Sequence, residues 1–183
     1  MKKTILAAAG VLALALPLSA AAPLWLHVKV DEAGPKATTV RVNLPFTLLE
    51  AAAPLADAEF AKNVKVPGPA GLDKARLQAM WTAAKEAGDS EFVKVTSETE
   101  QVRVARIGGR LVIQVDNSGK KSEKVRVEIP GEVADALLSG PGEQLNFLAA
   151  LQALKRTGTT SLVTVDGGKD KVRIWVDDRN ASE

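Results

Sequence analysis

The amino-acid sequence matches itself at two offsets, and a chain that repeats is restricted to folds that two similar units can build together. Shifting residues 24–45 by 85 positions lays them on 109–130 with nine identities in 22 and no gap. Among these are Val40-Arg41-Val42 with Val125-Arg126-Val127, Asp31 with Asp116, Gly34 with Gly119 and Pro45 with Pro130. A second shift, of 70, pairs Lys85 with Lys155, Gly88 with Gly158, Val93 with Val163, Val95 with Val165, and Val102-Arg103 with Val172-Arg173. The offsets differ by 15, so the first copy is expected to carry an insertion between Phe46 and Gly71, where Pro54, Pro67 and Pro69 lie.

Periodicity gives each copy its elements. Leu24, Leu26, Val28 and Val30 alternate with Trp25, His27, Lys29 and Asp31; a turn at Gly34-Pro35 then leads to Val40, Val42 and Leu44 alternating with Arg41 and Asn43. That is the pattern of a half-buried hairpin. Pro45 ends the strand, and a short helix over residues 46–53 is expected to be cut by Pro54. Leu77, Met80, Trp81 and Ala84 then fall on one helix face, as do Phe147, Ala150, Leu151 and Leu154, with Gly88 and Gly158 placed as left-handed caps. Strands over 92–96 with 101–106, and 161–165 with 171–176, close the copies. Gly108-Gly109 suits a type I′ turn that sets Val104 opposite Ile113 and Val102 opposite Val115. The expectation is an α+β fold: a tandem duplication of a ββααββ unit, over 22–106 and 107–183, joined in one antiparallel sheet packed on one side by helices.

The first 21 residues read differently. Met1-Lys2-Lys3 is a positive start, residues 5–16 are almost purely apolar, and Ser19-Ala20-Ala21-Ala22 offers small residues for cleavage after Ala20 or Ala21. This predicts a secretory signal peptide, its apolar run too short for the roughly 20 residues of a membrane span. Without cysteine there is no lipid-attachment signal, so the product is expected to be periplasmic or extracellular and not lipid-anchored. Removing Lys2 and Lys3 from 24 basic residues leaves them equal to the 22 acidic ones, which gives no basic footprint for nucleic acid.

Catalytic classes lose parts at once. Zero cysteine excludes thiol nucleophiles and disulfide scaffolds, and one histidine excludes an HExxH metal site, so neither cofactor nor metal is expected. Gly108-Gly109 and Gly167-Gly168 stand between strands, where no helix N-terminus could cradle phosphate. Adjacent carboxylates such as Asp31-Glu32 point to opposite strand faces. His27, replaced by Val112 in the second copy, reads as a surface strand histidine. The less ordinary surface is the face opposite the apolar one. It carries Trp25, His27 and Lys29 on the first strand and Arg173, Trp175 and Asp177 on the last, with Arg41, Arg103 and Arg126 as polar neighbours. Tryptophans there are either covered by the other copy, by the inserted segment 54–71 or by a second subunit, or they form a binding surface of Trp25, His27, Arg41, Arg173 and Trp175.

The second copy, VRVEIPGEVADALL followed by a helix and SLVTVDGGKDKVRIWVDD, resembles uncharacterised bacterial proteins of SHOCT-like type over about residues 110–178, and 24–106 does so less closely. The resemblance implies a shared packing pattern and an envelope association, and it carries over no functional residue; the signal peptide departs from its cytoplasmic or membrane-linked members. The reading is an exported, non-catalytic envelope protein that binds a protein partner or a cell-wall glycan, in an oligomeric state the sequence leaves open. The rival is an envelope hydrolase whose carboxylates converge on folding.

Overall fold

A computed structural model describes residues 22–35, 37–63, 74–119 and 122–182, with side chains described throughout except at 56–63. The signal peptide expected over 1–21, and the part of the inserted segment at 64–71, lie outside the described residues. The elements run β1 (Trp25–Glu32), β2 (Thr38–Pro45), α1 (Phe46–Asn63), α2 (Lys74–Glu86), β3 (Ser90–Thr96), β4 (Glu100–Ile107), β5 (Arg110–Asn117), β6 (Glu123–Pro130), α3 (Gly131–Leu137), α4 (Phe147–Thr157), β7 (Thr160–Asp166) and β8 (Asp170–Asp177).

All eight strands belong to one antiparallel sheet in the order β2-β1-β8-β7-β6-β5-β4-β3, which with the helices makes an α+β fold. The register follows from side-chain alternation, because a slip of one residue would turn the apolar set to the other face. One row of the sheet runs Val42, Val28, Ile174, Val163, Val127, Ile113, Val104, Val93, each residue opposite the next. The neighbouring row runs Val40, Val30, Val172, Val165, Val125, Val115, Val102, Val95. The β4–β5 hairpin has the expected partners, Val104 with Ile113 and Val102 with Val115. Its turn holds Gly108 at φ 57° and Gly109 at φ 73°, the two positive angles that a type I′ turn needs and that side chains with a Cβ resist.

The helices gather at one end of the strands. Phe46 of α1, Leu154 of α4 and Val176 of β8 form the buried cluster, and Leu26, Leu49, Val133, Leu151 and Leu162 pack around it. Leu26 and Val176 are cross-strand partners on the same face as the valine rows, so the core lies on that face. Glu50 of α1 takes an ion pair from Lys155 of α4 at 3.0 Å. Each helical pair starts where a strand ends in proline. Phe46 N–H donates to Leu24 O at 3.0 Å after Pro45, and Gly131 N–H to Gly109 O at 3.1 Å after Pro130.

Two helical expectations need correction. Pro54 does not end α1, which continues through it to Asn63. Proline removes one hydrogen bond and crowds one carbonyl, and an exposed position such as Pro54 lets water satisfy the group it releases. Met80 is not on the packed face of α2, where Trp81 is buried and Met80 is exposed. The reason is that α2 rests on α3 and the loop after it, a narrower seat than a sheet. Trp81 Nε1 donates to Asp135, Gln78 to Leu138 O, and buried Lys74 reaches the carbonyls of Gly140 and Gly142.

Candidate functional site

Strand parity puts all five residues singled out above on one face of three neighbouring strands. Trp25 and His27 stand on β1, Arg41 on the edge strand β2, and Arg173 and Trp175 on β8. His27 and Trp175 are direct cross-strand partners. Their rings stack with centroids 4.9 Å apart and planes at 23°, and the Arg173 guanidinium lies 4.5 Å from the Trp175 ring centre on a cation–π line.

This cluster is closed. His27, expected as a surface residue, is 0% exposed, and Trp175, expected as an outward ring, is only 6% exposed. Asp177 at the end of β8 and Asp178, Arg179, Ala181 and Ser182 after it border the small opening left beside Trp175. His27 Nε2 sits 3.0 Å from Asp177 Oδ1 and 3.1 Å from Arg179 O, and its Nδ1 is 2.6 Å from Asn43 Oδ1. The Trp175 indole N–H donates to Asp177 Oδ2 at 2.8 Å, and Arg179 N–H to Asp177 Oδ1 at 2.8 Å. A buried indole N–H without a partner would cost about 1–3 kcal/mol, so Asp177 helps fix this face by accepting from Trp175 while its other oxygen meets His27 Nε2. Burial pushes the Asp177 carboxyl up, but the bonds from Arg179, Trp175 and His27 outweigh it and hold the carboxyl below its ordinary value of 3.8.

Trp25 is different. It is half-buried at the start of β1 and opens into a shallow groove with Pro23, Asp178, Arg179, Asn180 and Ala181. Arg41 and Arg173 are exposed on the same face. Arg103 and Arg126 stand on β4 and β6, away from the tryptophans, and are engaged locally with Glu91 and Glu128.

Carboxylates elsewhere are anion anchors. Asp89 accepts from the N–H groups of Gly109 and Gly108, and these hold its carboxyl low. Glu128 is lowered by the hydrogen bond from Arg126, with Arg110 adding charge. Asp135 is raised by burial and lowered further by Lys85 and Trp81, and Asp31 is lowered by the Thr39 hydroxyl. A carboxyl serving as general acid needs the opposite direction, so these four, like Asp177, suit turn locks and ion pairs. Among the described residues, no group of His, Asp and Glu is arranged to hold a metal ion, and no helix is long and apolar enough to cross a membrane.

Three residues gave little signal in advance, two in this cluster and one on α2. Asn43 lies two positions from Arg41 on the same face, which strand parity could have picked out. The return of Arg179 over His27 follows no periodicity. Lys74 is an ordinary helix-start lysine in sequence, yet it is buried on two carbonyls.

Residues 24–105 match the family described as YvlB-like protein, C-terminal domain. The match takes in just under half of the chain. It overturns the resemblance to SHOCT-like proteins and lies on the first half, where that resemblance was the fainter one. Alternating strands that end in proline and lead into a helix recur wherever a half-buried hairpin feeds a helical layer, so such a pattern does not separate families. No curated protein and no solved structure matches the chain.

Proposed function

We propose that the chain is an exported, non-catalytic protein of the bacterial envelope, built from two copies of a ββααββ unit, that acts by binding a protein partner or a cell-wall glycan. The observation carrying the binding part is the groove at Trp25, where an aromatic surface stands beside a carboxylate, a guanidinium and an amide from Asp178, Arg179 and Asn180. Such a set can stack on a sugar ring or seat a side chain while bonding its polar rim. His27 and Trp175 stand beside Trp25 on the same face and do not line this groove.

Support for two copies comes from the ladders. Val28 pairs with Val42 as Ile113 pairs with Val127, and Val93 pairs with Val104 as Val163 pairs with Ile174. The β4–β5 pair Val104–Ile113 has its mate in Ile174–Val28 between β8 and β1. Even irregularities correspond: β3 breaks register between Glu91 and Val93, and β7 between Ser161 and Val163, the same step 70 residues on. The binding cluster is where the copies differ, because His27 and Trp175 correspond to Val112 and Ala105 at the other junction.

Affinity capture from the envelope fraction with the mature chain tests the binding site. Trp25→Ala should weaken capture about thirtyfold or more, the effect of losing roughly 2 kcal/mol at an anchoring ring, with an unchanged melting temperature. Undiminished capture by a folded Trp25→Ala protein would remove the groove from consideration.

A further inference from the structure

Seven ladders hold the sheet, and six of them form three corresponding pairs: β1·β2 with β5·β6, β3·β4 with β7·β8, and β1·β8 with β4·β5. The seventh, β6·β7, has no mate. Its counterpart would join β2 to β3, which are the two outer edges of the sheet. These edge strands also carry most of the uncovered apolar surface on strands. Val40 is 48% exposed, Val42 37%, Val93 43% and Val95 55%, whereas their counterparts Val125, Val127, Val163 and Val165 are half-buried. Beyond the edges, Ile107 at the end of β4 is the exposed large apolar strand residue among those described.

We infer that β2 of one molecule pairs with β3 of another, reproducing the β6·β7 ladder between two copies of this chain. The inference rests on the reading of the two halves as copies. Moving the block β2-β1-β8-β7 onto β6-β5-β4-β3 is a step of four strands along the sheet, and repeating the step from β3 calls for a further β2. The internal ladder supplies the register. Lys124–Asp166, Val125–Val165, Arg126–Thr164 and Val127–Val163 transpose to Thr39–Thr96, Val40–Val95, Arg41–Lys94 and Val42–Val93. Both valine rows would then continue from one molecule into the next. Because the surfaces are two different strands, the contact is head to tail and makes a ring or a chain. An open edge of this kind invites pairing, and charges on it moderate the tendency. Here the moderating pair is Arg41 against Lys94, two like charges brought face to face.

That pair gives a test that leaves the core untouched, since both side chains are exposed. Lys94→Glu and Arg41→Glu should each tighten association by about threefold or more in light scattering or sedimentation, and the double variant should return it to or below wild type. Added salt should strengthen wild-type association by screening the like charges. The chain has no cysteine, so register can be read directly by mixing Thr39→Cys and Thr96→Cys proteins under mild oxidant. A disulfide joining one to the other is expected. Monomers at every concentration and salt with no mixed disulfide would overturn the inference, and so would a Thr39→Cys/Thr96→Cys double variant that closes within one chain. In either case a crystal structure in which the two four-strand blocks still superpose would leave the duplication standing, and blocks that fail to superpose would bring down both.

Discussion

Trp175 shows how one ring changes roles when its surroundings are known. Parity placed it correctly on the face of Trp25, but nothing in an alternating pattern says that the chain after β8 returns to cover it. Enclosed between His27, Arg173 and Asp177, it is a packing residue, and Trp175→Ala should destabilise the protein by about 3–5 kcal/mol, read as a drop in the denaturant midpoint. An unchanged midpoint would mean that the ring is not enclosed. Asp177 sets the acid limit of the same cluster. Its carboxyl lies below the ordinary value in the folded chain, so the stability it contributes is complete above about pH 4 and is lost as pH falls through the folded value. Tryptophan fluorescence followed through that range should report release of the indole from its carboxylate. Asp177→Asn should be less stable than wild type at neutral pH and converge with it in acid, whereas parallel acid unfolding curves would assign the transition to other carboxylates.

At the scale of elements, strands were legible because their signal is local. Alternation fixes which residues face inward, proline fixes where β2 and β6 end, and the two glycines fix the turn that sets the β4–β5 register. Helical faces were less so. The spacing of Leu77, Met80 and Trp81 is compatible with a broad contact, and only the seat of α2 on α3 shows that Trp81 alone is buried in that trio. Nor could spacing reveal what holds α2 there. Lys74 binds two carbonyls of the loop after α3, and that loop needs glycine at 140, because a Cβ there would lie 2.3 Å from Gln144 O. Gly140→Ala should therefore loosen the loop and α2 together, seen as faster amide exchange in α2 with the strands unchanged. Normal protection in α2 would show that Trp81 and Gln78 suffice.

On the scale of the whole molecule, each contiguous block of four strands draws one hairpin from each half of the sequence. The residues matched by the YvlB-like family therefore lie at both ends of the sheet, β2-β1 on one side and β4-β3 on the other, with strands of the second half between them. Sequence periodicity could give the strands and the valine rows, but strand order depends on which hairpins meet, and that is decided by packing between distant segments. On the proposed duplication, the β6·β7 ladder has no mate within one chain, and the strands that would supply it, β2 and β3, are outermost. Amide hydrogen exchange across a dilution series addresses that claim most directly. Protection in β2 and β3 should fall as the protein is diluted while β6 and β7 stay protected throughout; edge strands that exchange at one rate at every concentration would contradict the account.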